Sequence, residues 1–180
     1  MTTEMWLIAV ARVMGSLPVL RWPFYGAVVA ILVDQSDLFM MNLLDLGGVT
    51  NYQTFDKYLD QVYLACFLLV ALRWQGADRN VSIALYAYRI LGFVIFEVTQ
   101  SRGLLLFFPN LFEFWYLFVA ARHQFNLEAR FSRPQLGAML GGLFCLKMFQ
   151  EYALHQARWL DGFTAVEAVE SVWRWVVPFQ

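Results

Sequence analysis

Four aspartates stand at spacings that suit a hard metal ion. Asp34 and Asp37 are three residues apart and Asp56 and Asp60 are four apart, so on helices each pair lies on one face. Carboxylate oxygens are the ligands that Mg²⁺ and Ca²⁺ prefer, and without a cluster of histidines and cysteines zinc is not expected. The spacing predicts a metal site at these four residues, of the type that assists phosphoryl transfer.

The acidic skeleton of residues 34–60 resembles the motif of the CDP-alcohol phosphotransferase family. That motif reads Asp-x2-Asp-Gly-x2-Ala-Arg and then Gly-x3-Asp-x3-Asp, and the four aspartates match its acids. The resemblance implies a metal-dependent phosphoryl transfer. Four positions depart from the motif, where this chain has Leu38, Met41, Asn42 and Tyr52 in place of glycine, alanine, arginine and glycine. In that family the glycines and the arginine handle the nucleotide, so the departures put binding of a CDP group in doubt.

The remainder of the chain has the composition of a membrane protein. It is 60% hydrophobic and 15% charged, whereas soluble domains carry about a quarter charged residues. Mean hydropathy is +0.52. Several apolar runs approach the roughly 20 residues with which a helix crosses a bilayer, and a span in lipid must be helical to satisfy its own backbone. The predicted spans are residues 17–36, 57–74, 81–99, 103–121 and 135–156.

The predicted fold class is all-α, a polytopic membrane helical bundle. Residues 1–180 form a single membrane domain in this interpretation, with residues 17–156 as a five-helix bundle. Residues 1–15 are expected to form an interfacial helix, and residues 162–177 an amphipathic C-terminal helix. Net charge is −1, so no basic face favours nucleic acid as a partner, and the lipid bilayer is the expected one.

Basic residues near the span ends predict the orientation. With five spans, seven basic residues, among them Arg12, fall on one side and four on the other. Cytoplasmic loops carry the excess of Lys and Arg, so we expect an integral membrane protein with a cytoplasmic N-terminus. The acidic loop of residues 38–55 then lies outside.

Each predicted span brings at least one acid into the outer half of the bilayer. A charge at mid-membrane costs at least a few kcal/mol, so such groups usually face the interior of a bundle. Seven carboxylates against two deep cations must be partly protonated, or must admit water or a cation. The acids of this layer are Asp34, Asp37, Asp56, Asp60, Glu97, Glu113 and Glu151, with Asn110 and His155 at similar depth and Arg89 and Lys147 deeper.

This pattern predicts a carboxylate-rich cavity that binds a cation, Mg²⁺ or Ca²⁺, in the outer half of the bilayer. A membrane enzyme that acts on a lipid-like substrate, by lipid modification or phosphoryl transfer, is the leading interpretation. The predicted ligands or general acid and base groups are Asp56, Asp60, Glu97 and Glu113, with Arg89 as counter-charge or headgroup anchor. The predicted substrate-binding residues are Asn110, Lys147, Glu151 and His155.

Two other functions stay open. A small proton- or cation-coupled transporter or channel would also place protonatable carboxylates opposite Arg and Lys inside a bundle. An accessory subunit of a larger membrane complex would use the aromatic content of 18% for docking. Each polar residue also has a plain structural interpretation, as a solvated helix end or a local ion pair.

Overall fold

The computed structural model describes residues 2–37, 52–99, 108–127 and 132–152, together with Arg174. Throughout these residues the chain is all-α, which confirms the all-α part of the predicted fold class. A single 3-10 turn, Leu17–Leu20, joins the first two helices. The helices are α1 (Thr3–Ser16), α2 (Pro23–Gln35), α3 (Tyr52–Ala71), α4 (Gly76–Thr99), α5 (Leu111–Gln124) and α6 (Arg133–Glu151).

The first predicted span, residues 17–36, is not one helix. Prolines interrupt it, because Pro18 lies in the 3-10 turn and Pro23 opens α2. The 13 residues of α2 extend about 20 Å, which is short of the roughly 30 Å of a bilayer core. Gly26 lets α2 pack on the turn, since a Cβ there would lie 2.4 Å from the Pro18 carbonyl carbon. Residues 17–36 therefore form a compact turn and a short helix.

The N-terminal helix, which was predicted to be interfacial, packs on the other helices with one face. One face of α1 packs against α2 and α3 and buries Ile8 and Arg12. The other face exposes a stripe of large apolar side chains at Trp6, Val10 and Met14. This division arises because α1 is apolar on both sides, so that one face is available for packing while the other stays uncovered.

Two segments of the described chain are long and apolar enough to cross a membrane, Thr3–Leu20 and Gly76–Thr99. Core helices of soluble proteins and signal sequences can have the same length and composition. These two segments are weak evidence for a membrane protein. The five predicted spans are not confirmed, and the predicted cytoplasmic location of the N-terminus stays a prediction.

The packed core lies between α3 and α5, with α2 and the 3-10 turn against it. Phe67 of α3 stacks on Tyr116 of α5 with ring centroids 4.1 Å apart, and Phe112 adds a second ring from α5. Helix α4 packs on both α3 and α5, whereas α6 contacts α5 alone among the described elements. The α3–α5 core fixes the relative positions of the polar groups that follow.

Two predicted features lie largely outside the described residues. They are the acidic loop, of which only the last four residues are described, and the C-terminal amphipathic helix, of which only Arg174 is described. The loop was predicted to run to residue 55, but α3 already begins at Tyr52.

Candidate metal centre

A single arginine lies at the centre of the aspartates. Arg12 is 4% exposed on the inner face of α1, and its guanidinium forms ion pairs with four carboxylates. Nη2 contacts Asp34 and lies 2.9 Å from Asp56, Nε lies 3.1 Å from Asp37, and Nη1 lies 3.4 Å from Asp60. We call Arg12 with these four residues the aspartate cluster.

Three helices position the aspartate cluster. Asp34 lies in the last turn of α2 and Asp37 just beyond it, while Asp56 and Asp60 occupy successive turns near the start of α3. Helix α1 approaches α2 closely, because a Cβ on Gly15 would lie 2.9 Å from the Val33 side chain. This close packing places Arg12, which is one turn before Gly15, level with the end of α2.

Three of the four aspartates predicted as metal ligands lie close together. One carboxylate oxygen from each of Asp34, Asp56 and Asp60 lies within 4.8 Å of the others. Oxygen ligands of Mg²⁺ and Ca²⁺ lie about 2.0–2.6 Å from the ion, so two ligands of one ion can be up to about 5 Å apart. Asp37 is outside this trio and faces the Nε side of Arg12. The trio therefore has the chemistry and the spacing for a hard divalent cation.

The aspartate cluster carries more negative than positive charge. Its counter-charges are Arg12 and, from α4, Arg89, whose Nη2 lies 3.7 Å from Asp60 Oδ2. Four ionised aspartates would leave a net charge of −2 among mostly buried groups, which is costly unless protons or a cation neutralise it. Burial raises the pKa of Asp37 to about 7, against the opposing effect of Arg12.

A second polar group lies farther along α3 and α5. The Tyr63 hydroxyl donates to Glu113 Oε2 at 3.2 Å, and Asn110 Nδ2 donates to the same oxygen at 3.0 Å. Asn110 Nδ2 also lies 3.4 Å from the Tyr63 oxygen. We call these three residues the Glu113 triad. Arg89 lies next to it, since Nη1 donates to the Phe108 carbonyl at 3.3 Å.

The remaining predicted site residues do not join the aspartate cluster. Glu97 is half-buried on α4 and is not part of the converging trio. Lys147 on α6 donates to Gln150 Oε1 at 2.9 Å. The side chain of Glu151 and the whole of His155 lie outside the described residues. Within the described residues, side chains of the predicted polar layer contact one another in two groups, the aspartate cluster and the Glu113 triad, and Arg89 lies between these groups.

Two residues of the site were missed by sequence reasoning. Arg12 was assigned to the side of the membrane opposite the aspartates, and this is corrected because the inner face of α1 packs on α2 and α3. The sequence feature that could have indicated a role for Arg12 is that it is the only charged residue in positions 5–20. Tyr63 follows Asp60 by three residues, which places both on one face of α3.

Comparisons with known proteins identify no relative. No family model matches this chain, and neither a curated protein nor a solved structure matches it. The resemblance to the CDP-alcohol phosphotransferases therefore has no support beyond the four aspartates. What the chain does has to be inferred from the geometry of the two polar groups.

Proposed function

We propose that the protein is an integral membrane enzyme that binds a divalent cation, Mg²⁺ or Ca²⁺, through Asp34, Asp56 and Asp60 and acts on a lipid-like substrate. One observation carries the proposal, the surplus of carboxylates, one buried and three half-buried, around the buried guanidinium of Arg12. A bound divalent cation supplies the positive charge that the aspartate cluster lacks, with ligands of the type it prefers.

The substrate class follows from the surface of the two long apolar helices. Only 17% of the most apolar stretch of α4 is buried, and its exposed side chains include Leu91, Val94 and Val98. The exposed stripe of α1 has the same character. Apolar surfaces of this extent contact a membrane or a partner rather than water. A substrate that reaches the aspartate cluster along these helices is therefore amphiphilic.

The residues of the aspartate cluster and the neighbouring Arg89 have different roles in the proposed reaction. Asp34, Asp56 and Asp60 would hold the cation, which would polarise an anionic group of the substrate, such as a phosphate ester, and supply positive charge where negative charge develops. Arg89, which is 15% exposed and contacts Asp60, can donate to the same anionic oxygens, because a guanidinium binds phosphate and carboxylate with two parallel hydrogen bonds. Asp56 is 31% exposed, more than Asp34 or Asp60, so substrate would approach from its side.

Equilibrium binding of Ca²⁺ and Mg²⁺ to the purified, detergent-solubilised protein tests the cation site. We expect one site per chain, with the affinity of Asp56→Asn reduced at least about tenfold, since a coordinating charge is lost. Asp78→Asn is the matched control, because Asp78 is also a paired acid but contacts Arg122 and His123 instead. Equal affinities in wild type and Asp56→Asn would refute the site.

A proton- or cation-coupled transporter is the second candidate, and Arg89 is the observation that favours it. Arg89 contacts Asp60 of the aspartate cluster and the Phe108 carbonyl beside the Glu113 triad. Ionisable side chains in the interior of a bundle form the ion pathways and proton relays of coupled carriers. Reconstituted liposomes separate the two functions: ion flux without chemical change of added lipid indicates a carrier, and lipid turnover that depends on the cation indicates an enzyme.

A further inference from the structure

The carboxyl group of Glu113 is buried among neutral partners. Glu113 is 9% exposed, and both groups that donate to it, the Tyr63 hydroxyl and the Asn110 amide, are uncharged. Within the described part of the chain, no Lys or Arg nitrogen lies within 4 Å of its oxygens. An ionised carboxylate that is buried without an ion pair is unfavourable, and the usual solution is to take up a proton.

Charged or hydrogen-bonding groups from every helix that packs against α5 influence Glu113. Burial is the largest influence on its charge, followed by Lys147 of α6, which favours the ionised form, and Asp34 of α2, which opposes it. Tyr63 of α3 and Arg89 of α4 also favour ionisation. The Lys147 ammonium donates to Gln150, and its Nζ lies 5.5 Å from the Phe114 ring. The neighbouring cations therefore act on Glu113 from a distance and do not neutralise it by contact.

Asn110 provides an independent reason for a proton at this position. Its side chain is 5% exposed, and its amide nitrogen is bonded to Glu113, yet its carbonyl oxygen Oδ1 has no hydrogen-bond donor among the described residues. A buried acceptor without a donor costs about 1–3 kcal/mol. The Tyr63 hydroxyl already donates to Glu113, so a proton on the carboxyl group is the further donor that the Glu113 triad can supply.

We propose that Glu113 is a proton-binding site, and that cation binding at the aspartate cluster releases this proton through Arg89. When a divalent cation binds Asp60, the cation replaces the guanidinium of Arg89 as the counter-charge of Asp60. The positive charge of Arg89 can then stabilise an ionised Glu113. The carboxylic acid then dissociates to the carboxylate, and the proton passes to bulk water. The linkage rests on the proposed cation site, whereas the proton on Glu113 does not.

Infrared spectroscopy of the purified protein tests the proton directly. A protonated carboxyl group has a carbonyl stretching band that a carboxylate or an amide lacks. At neutral pH we expect a band from Glu113 in wild type, beside the band of partly protonated Asp37, and the loss of the Glu113 band in Glu113→Gln, which keeps the shape of the side chain. Tyr63→Phe should shift the band, because one hydrogen bond to the carboxyl group is removed. This variant provides the test if Glu113→Gln does not fold. Unchanged bands in both variants would overturn the proposal.

Calorimetric titration with Ca²⁺ in buffers of different ionisation enthalpy tests the linkage, because it counts the protons released per ion. Wild type should release about one proton more than Glu113→Gln. Asp78→Asn should release as many protons as wild type. Equal release from wild type and Glu113→Gln would overturn the linkage. Absence of Ca²⁺ binding in wild type would overturn the proposed function and the linkage with it, while the infrared band still decides whether Glu113 holds the proton.

Discussion

Arg12 is the residue on which the aspartate cluster depends. Its guanidinium has five N–H donors in a fixed plane, which allows one side chain to contact carboxylates from two other helices at once. Removing one partner of a buried charge network is more damaging than replacing the whole network, because the partners left behind stay charged and buried.

Substitution of Arg12 by methionine should therefore destabilise the protein strongly. We expect Arg12→Met to lower the free energy of unfolding by about 3–5 kcal/mol in the absence of divalent ions. Millimolar Ca²⁺ should restore part of the loss, because the ion replaces the missing positive charge. Thermal unfolding with and without Ca²⁺ measures both effects. Arg21→Met, which removes an exposed arginine, is the control, and equal destabilisation of the two variants would contradict the role of Arg12.

Asp37 should make stability depend on pH. Burial raises its pKa from 3.8 to about 7, so folding favours its protonated form. The stabilisation from this group is complete below pH 3.8 and is lost as the pH rises through 7, at up to about 1.4 kcal/mol per pH unit. Asp37→Asn should remove this part of the slope, as measured by unfolding between pH 4 and pH 8. Identical slopes in wild type and Asp37→Asn would be inconsistent with this account.

For individual residues, the sequence indicated that aspartates form the site but did not indicate which residues they contact. Asp56 and Asp60 were expected on one helical face, and the spacing of the helix sufficed to place them there. Arg12 was misplaced, because counting basic residues on each side of a membrane requires the right number of spans. Contacts between residues 44 positions apart, such as that of Arg12 with Asp56, follow from helix packing and not from local spacing.

At the level of elements, one close approach positions the end of α2. Helix α2 reaches the aspartate cluster only because its first turn packs directly on the backbone of the 3-10 turn. Gly26 permits this contact, and the atoms that a Cβ would meet belong to the backbone and cannot move away easily.

Gly26→Ala should destabilise the fold by about 1–3 kcal/mol through overpacking and should also weaken cation binding by displacing Asp34. Gly137→Ala is the matched control on α6, where a Cβ meets nothing within 4 Å. That variant should gain about 0.5–1 kcal/mol, because alanine is the better helix former. Unfolding and Ca²⁺ titration of both variants measure the difference, and a Gly26→Ala protein as stable as Gly137→Ala would refute the close approach.

Apolar runs predicted that helices exist, but not where they begin. Helix α3 was expected at 57–74 and extends from Tyr52 to Ala71, because its first turn carries polar residues that an apolar pattern does not mark. Helix α4 begins at Gly76, whose φ of 61° is a turn conformation that glycine adopts readily. Helix α5 begins after Pro109 and Asn110, where the proline ends the pattern that was read as one span.

At the scale of the whole molecule, five spans were predicted, and within the described residues two segments have the length and apolarity of a span. Composition is an average over the chain, and it does not distinguish a helix that faces lipid from one that is packed in a core. The distinction depends on which side chains the fold buries, and α4 stands out because so little of its apolar surface is covered.

Helix α4 should therefore contact lipid along its exposed side. A nitroxide attached at Val94→Cys, in a Cys145→Ala background and in reconstituted bilayers, should be accessible to oxygen and protected from a water-soluble relaxing agent. The same label at Asn80→Cys, near the start of α4, should be accessible to the water-soluble agent. A Val94→Cys label that is equally accessible to water would contradict the membrane assignment.

We expect a divalent cation to bind among the carboxylates of Asp34, Asp56 and Asp60, next to Arg12. Crystals of the protein grown with Mn²⁺, which takes the same oxygen ligands and scatters anomalously, test it most directly. An anomalous difference peak bounded by carboxylate oxygens of Asp34, Asp56 and Asp60 is the predicted result. A peak elsewhere in the molecule, with the guanidinium of Arg12 still filling the space among these three aspartates, would contradict the claim.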